Sequence, residues 1–100
     1  MIFTNRRLSA AEALDWGLIT EVVPDDALGE RAMELARHLA SGPTLAFAGA
    51  KQLLRQTYNQ PLEAQMADES ESIARMAATE DGRGGIAAFV AKQRPTFAGR

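Results

Sequence analysis

One hundred residues suit one small domain with a modest core. Hydrophobic residues at 46% and charged residues at 24% exclude a disordered tail, and no apolar run approaches the ~18 residues of a membrane span. A net charge of −2 argues against a general nucleic-acid binder, and the lack of cysteine excludes a disulfide framework or thiolate site and fits a reducing, cytoplasmic setting.

Arg6 and Arg7 precede an acid-containing helix and not an apolar signal region. Ser9 followed by Glu12 is a capping-box pattern, opening a short helix with Ala10, Ala13 and Leu14 on one face. Gly17 then ends it in the left-handed position just past the C-cap. Residues 18–23 are apolar and β-branched and read as one short extended segment, stopped by Pro24. No partner strand for that segment is visible. Asp25 and Asp26 offer N-caps for a second helix, in which Leu28, Ala32, Leu35 and Leu39 recur at helical spacing. Ser41-Gly42-Pro43 breaks the chain, and Pro43 suits the first position of a third helix. Its apolar face uses Ala46, Phe47, Ala50, Leu53 and Leu54, and it ends near Tyr58 and Asn59.

Pro61 begins a fourth helix striped by Leu62, Met66, Ile73 and Ala77, with Glu69 and Ser70 interrupting the stripe. Thr79 caps a fifth, whose apolar positions are Ile86, Phe89 and Val90 and which Pro95 stops. Gly82, Gly84 and Gly85 in its first turns cost roughly 1 kcal/mol each relative to alanine. Either the backbone approaches something closely there, or the helix starts only near Gly85. The predicted fold is therefore all-α, about five helices with one short extended segment, in a single domain over residues 1–100.

Charge is unevenly distributed. Between Pro61 and Gly82, six carboxylates face Arg75 alone, a net −5; Arg83, Lys92, Arg94 and Arg100 then give a net +4 with no acid. An acidic solvated face pairing with a basic tail is the plain reading, and a tail that meets an anionic ligand is the sharper one.

Catalytic constellations are missing. His38 is the sole histidine, which excludes multi-histidine metal sites and histidine-based triads. The serines have no base at recognisable spacing, and Glu69 and Glu71 lie on different faces of their helix. The DGRGG run neither follows a strand nor forms a phosphate-loop pattern. No catalytic or metal-ligating residue is assigned. Trp16 is read as packing, and Arg6 and Arg7 as a solvated pair. One pair stands out: helical spacing puts Phe89 and Lys92 one turn apart on one face, an aromatic beside an ammonium. That pairing suits a flat base carrying a phosphate.

RRLSAAEALDWGLITEVVP at residues 6–24, SGPTLAFAGAKQLL at 41–54 and TEDGRGGIAAFVAKQRPTF at 79–97 resemble, in order, the C-terminal portion of the enoyl-CoA hydratase/isomerase (crotonase) superfamily. The resemblance covers essentially all 100 residues. It implies an acyl-CoA thioester as substrate, with coenzyme A present as part of that substrate and no separate cofactor. It also implies that catalysis belongs to a spiral of ββα units preceding the equivalent of Met1. There, backbone amides form an oxyanion hole and carboxylates move protons. The helical portion in that family covers the active site and builds trimers, often paired into hexamers. Phe89 and Lys92 match last-helix positions that approach coenzyme A. Three residues depart from the family pattern: Asn5 stands where glycine or aspartate is common, Gly84 where glutamate is frequent, and Gln93 where a basic residue is common.

On this reading the chain alone turns over no enoyl-CoA. Its apolar stripes, notably those with Leu35, Leu39, Leu53 and Leu54, associate into dimers or trimers. The alternative is a stand-alone, non-catalytic helical interaction module of the same ancestry, distinguished by whether a catalytic portion is encoded upstream. Hydratase and isomerase chemistry are not separable from these residues.

Overall fold

The computed structural model describes residues 3–100. It contains five helices: α1 (Ala10–Asp15), α2 (Leu28–Ala40), α3 (Thr44–Gln56), α4 (Leu62–Ala77) and α5 (Glu80–Val90). No strand occurs among the described residues, in keeping with the all-α reading. Residues 18–24 are bends and irregular backbone, so the apolar segment there has no ladder to join. The chain divides into two compact units, Met1–Glu34 and Leu35–Arg100.

In the first unit, Asn5 has φ +48°, a left-handed conformation that asparagine, aspartate and glycine tolerate best. That accounts for the residue types expected at this position. The Ser9–Glu12 capping box forms in both directions, with Ser9 Oγ accepting from the Glu12 amide and Glu12 accepting from the Ser9 amide. Arg6 departs from the solvated-pair reading. Its guanidinium donates to Glu12 at 2.8 Å and lies 5.2 Å above the Trp16 ring. That bond, with the Ser9 amide and hydroxyl donors, holds the Glu12 carboxyl below the usual carboxylate range. Gly17 has φ +69°; its amide donates to Leu14 and the Leu18 amide to Ala13, the paired bonds of a Schellman turn.

Asp25 and Asp26 do not cap α2. They sit in a turn over residues 25–27, and the Ala27 carbonyl accepts from Arg31 one turn on. Arg31 instead ties the approach to the helix, with Nε 2.8 Å from Glu21 and Nη1 2.6 Å from Glu34. Both carboxylates raise its pKa further. Exposed pairs of this kind contribute little net stability, so they fix direction more than energy.

In the second unit α4 packs against both α3 and α5. Pro43 and Pro61 occupy the N-cap positions of α3 and α4, one residue earlier than a first-turn placement, and neither has a side chain able to cap. Helix α3 closes at Gln56, with Thr57 as C-cap, two residues before the expected end. The α3–α4 crossing is close: a β-carbon on Gly49 would lie 3.1 Å from Ser72 Oγ. At the other end of α4 the chain turns sharply. Thr79 Oγ1 donates to the Met76 carbonyl and accepts from the Gly82 amide, and Arg83 donates to the Ala78 carbonyl. A β-carbon on Gly82 would overlap the Met76 carbonyl oxygen. Of the two accounts, close backbone approach holds at Gly82 and not at Gly84, which has open space around it, and α5 starts at Glu80.

The buried residues of this unit are polar: Gln65, Ser72 and Asp81. No side-chain polar atom among the described residues is left buried without a partner. Gln65 accepts from Gln60 and donates to Glu69, and Gln60 also reaches Asp68. No apolar side chain among the described residues is fully buried; Leu35, Leu39, Leu54, Leu62, Ile73 and Ile86 are all exposed. The stripes read from the sequence thus exist as faces, but polar contacts and close backbone approaches make the joints. An open apolar groove of ≈470 Å³ follows, with α3, α4, α5 and Phe97 around it.

Candidate functional site

The site is built on α5 and the segment after it. Thr79 caps the first turn, and Glu80 and Asp81 place acids there, where the helix dipole favours them. The helix stops at Val90. The Lys92 amide donates to Phe89 at 3.1 Å and the Gln93 amide to Ala88 at 2.9 Å, a second Schellman turn. Lys92 therefore lies outside the helix, at φ +53°.

This corrects the reasoning that paired Phe89 and Lys92. Phe89 is helical and 84% exposed, but Lys92 is not its neighbour on a helical face. Lys92 occupies the position after the C-cap, where glycine is the usual residue. A left-handed conformation costs a residue with a β-carbon roughly 1–2 kcal/mol. Such a residue persists only where its surroundings over-determine it, and this kind of strain collects at functional sites.

Charge is distributed tellingly across the basic tail. Arg100 Nε is 3.0 Å from Glu80, and Arg83 is engaged with the Ala78 carbonyl. Lys92 and Arg94 have no ion-pair partner among the described residues. The acidic α4 contributes only an internal Glu71–Arg75 contact at 3.7 Å. The tail is therefore only partly spent on pairing with the acidic segment: Arg100 meets Glu80, while Lys92 and Arg94 are left without an ion-pair partner among the described residues.

Sequence reasoning missed the tail's anchor. Asp81 is 6% exposed, and its two carboxylate oxygens accept from the Ala98 and Gly99 amides at 2.7 and 2.8 Å. Its own amide donates to the Arg100 carbonyl at 2.8 Å. The available signal was weak: an aspartate in a first turn and a glycine near the chain end, neither of them periodic. No group of three or more His, Cys, Asp or Glu that could hold a metal occurs among the described residues. No helix among the described residues is long and apolar enough to cross a membrane.

The sequence model of one family, enoyl-CoA hydratase/isomerase, matches residues 1–100. The chain belongs to that family. Similarity to individual members is even. It is 39% identical over 100 residues, all of this chain and 39% of the relative, to the 2,3-dehydroadipyl-CoA hydratase of Escherichia coli K12. It is 37% identical over 96 residues to the 1,2-epoxyphenylacetyl-CoA isomerase of the same organism, covering 96% of this chain and 37% of that one. Among solved structures, an enoyl-CoA hydratase subunit I from Geobacillus kaustophilus aligns with TM-score 0.93 at 36% identity, over 98% of this chain and 38% of that one. An enoyl-CoA hydratase from Bacillus anthracis aligns with TM-score 0.86 at 33% identity, over 99% and 38%. The enoyl-CoA hydratase/isomerase segment described here thus spans about two fifths of the length of these relatives. A hydratase and an isomerase thus match it at nearly equal identity.

Proposed function

We propose that this chain is the helical portion of an acyl-CoA-processing enoyl-CoA hydratase/isomerase, contributing subunit contacts and the contact to the nucleotide end of coenzyme A. The observation that carries the second role is Lys92. Its ammonium has no ion-pair partner among the described residues, and its backbone holds a strained conformation that glycine would adopt freely. Phe89 nearby in sequence leaves its ring in solvent. On this reading Phe89 flanks the adenine and Lys92 meets a phosphate, with a cytoplasmic setting and no separate cofactor. The exposed apolar faces support the first role, since patches of several hundred Å² usually find a partner. A homo-oligomer follows, trimeric or hexameric in the intact enzyme and dimeric or trimeric for this chain. The same faces are what the alternative, a non-catalytic helical interaction module, would use.

The test is a titration of the isotopically labelled chain with 3′,5′-ADP, read by NMR. Resonances of Phe89 and Lys92 should shift. Lys92→Ala should weaken binding about fivefold, the scale of one exposed ion pair, and added salt should weaken it further. Pantetheine, which lacks the nucleotide, should leave both residues unmoved; an equal response to it would contradict the nucleotide assignment. The purified chain should show no turnover of a short enoyl-CoA above a mock-purified control.

A further inference from the structure

Beyond Lys92, the chain runs back along α5. The helix is about 15 Å long between Asp81 and Ala91 at 1.5 Å per residue. The five steps from Gln93 to Ala98 span at most about 17 Å when extended. Residues 93–97 have no helical or strand structure of their own and include Pro95. They form a nearly taut strap, fixed at one end by the Schellman turn at Lys92 and at the other by Asp81.

The Asp81 end is tightly specified. Its carboxylate receives two successive backbone amides and is almost wholly buried. Gly99 adopts φ +73°, and a β-carbon there would lie 3.0 Å from Thr44 Oγ1. The Phe97 ring is in van der Waals range of a β-carbon at Gly85. Reversing direction directly after a helix requires a left-handed residue, and in this chain that residue is Lys92. A strap with little slack transmits the position of its anchor to its other end.

We infer that Asp81 is a positioning residue for coenzyme A recognition: by clamping the Ala98 and Gly99 amides it holds the strap that fixes Lys92 and carries Arg94. This rests on the reading of Lys92 as a phosphate contact. Asp81 itself touches no ligand. It acts by removing the conformational freedom that Lys92 and Arg94 would otherwise lose on binding. Arg94 lines a shallow cavity between the strap and α5 with Gly84, Ala87, Ala88, Ala91 and Thr96.

The experiment compares 3′,5′-ADP affinity by NMR titration in the full 100-residue chain, with helix content by circular dichroism recorded for each variant. Asp81→Ala should weaken binding by about the same factor as Lys92→Ala. The double variant should be little worse than either, because the two residues act in series. Asp81→Asn, which keeps one acceptor oxygen, should fall between. A chain ending at Phe97 removes the clamped amides, and with them the Arg100 contacts to Glu80 and the Asp81 amide, while keeping the α5 sequence and its Thr79 cap. It should reproduce the Asp81→Ala loss, and it decides the question if Asp81→Ala fails to fold. Unchanged affinity in the shortened chain, with Lys92→Ala still weakened, overturns the positioning role and leaves the nucleotide contact standing. Unchanged affinity in Lys92→Ala overturns both.

Discussion

At the first turn of α5 a β-carbon on Gly82 would overlap the Met76 carbonyl oxygen. Just beyond the last turn a long cationic side chain, Lys92, holds the left-handed position that glycine favours. The first turn has a conformation any residue could adopt but room only for hydrogen; the last has room for a side chain but a conformation that resists one. Helix α1 supplies the reference. It ends in the same Schellman turn, with Gly17 at φ +69° and open space where a β-carbon would be. Two ends built alike, one with glycine and one with lysine, separate what the turn requires from what α5 adds to it. Packing dictates the residue at Gly82, whereas at Lys92 the backbone argues against the residue present.

The strongest way to break this comparison is Gly82→Ala. The clash is with backbone at the α4–α5 corner, so it is relieved only by moving a helix. A loss of about 3 kcal/mol is expected, the upper end for overpacking, read as the denaturant midpoint or as failure to fold. A loss under half a kcal/mol would mean that the corner is loose. Lys92→Gly should act in the opposite direction, raising stability by about 1 kcal/mol through relief of the left-handed strain. Gly84→Ala sharpens the contrast two residues from Gly82. Nothing lies within 4 Å of a β-carbon there, so the helical preference alone should stabilise by about 0.5–1 kcal/mol. The smallest effect concerns α1. Arg6 and the Ser9 donors hold the Glu12 carboxyl below its ordinary value. Its folded-state pKa is thus depressed, so its contribution is present above the unfolded value and is lost as pH falls through the folded one. NMR shifts of residues 10–15 should show α1 fraying first on acidification, and Glu12→Gln should abolish that pH dependence.

Much of the fold was legible because it is locally encoded. Ser9 with Glu12, Gly17 and Thr79 mark helix ends through bonds spanning three to five residues, and each forms as read. Asp25 and Asp26 misled because both offered a cap, and the turn over residues 25–27 placed the helix start beyond them. The apolar stripes did not mark the buried positions: Leu62, Ile73 and Phe89 remain in solvent while Gln65, Ser72 and Asp81 are buried. Periodicity reports which face is apolar, not what covers it. The site was half legible. Phe89 and Lys92 were proposed from pattern and resemblance, but their supposed shared face was an extrapolation of α5 past Val90. The Asp81 clamp joins residues 17 and 18 positions apart through backbone amides, which leave no trace in side-chain identity.

The most direct test measures 3′,5′-ADP affinity in Lys92→Gly beside its stability. If lysine is held in a strained position to meet a phosphate, the variant should be more stable than the parent chain and bind about fivefold more weakly, the scale of one exposed ion pair. A variant that is more stable and binds equally well would contradict the account, because the strain at Lys92 would then serve no nucleotide contact.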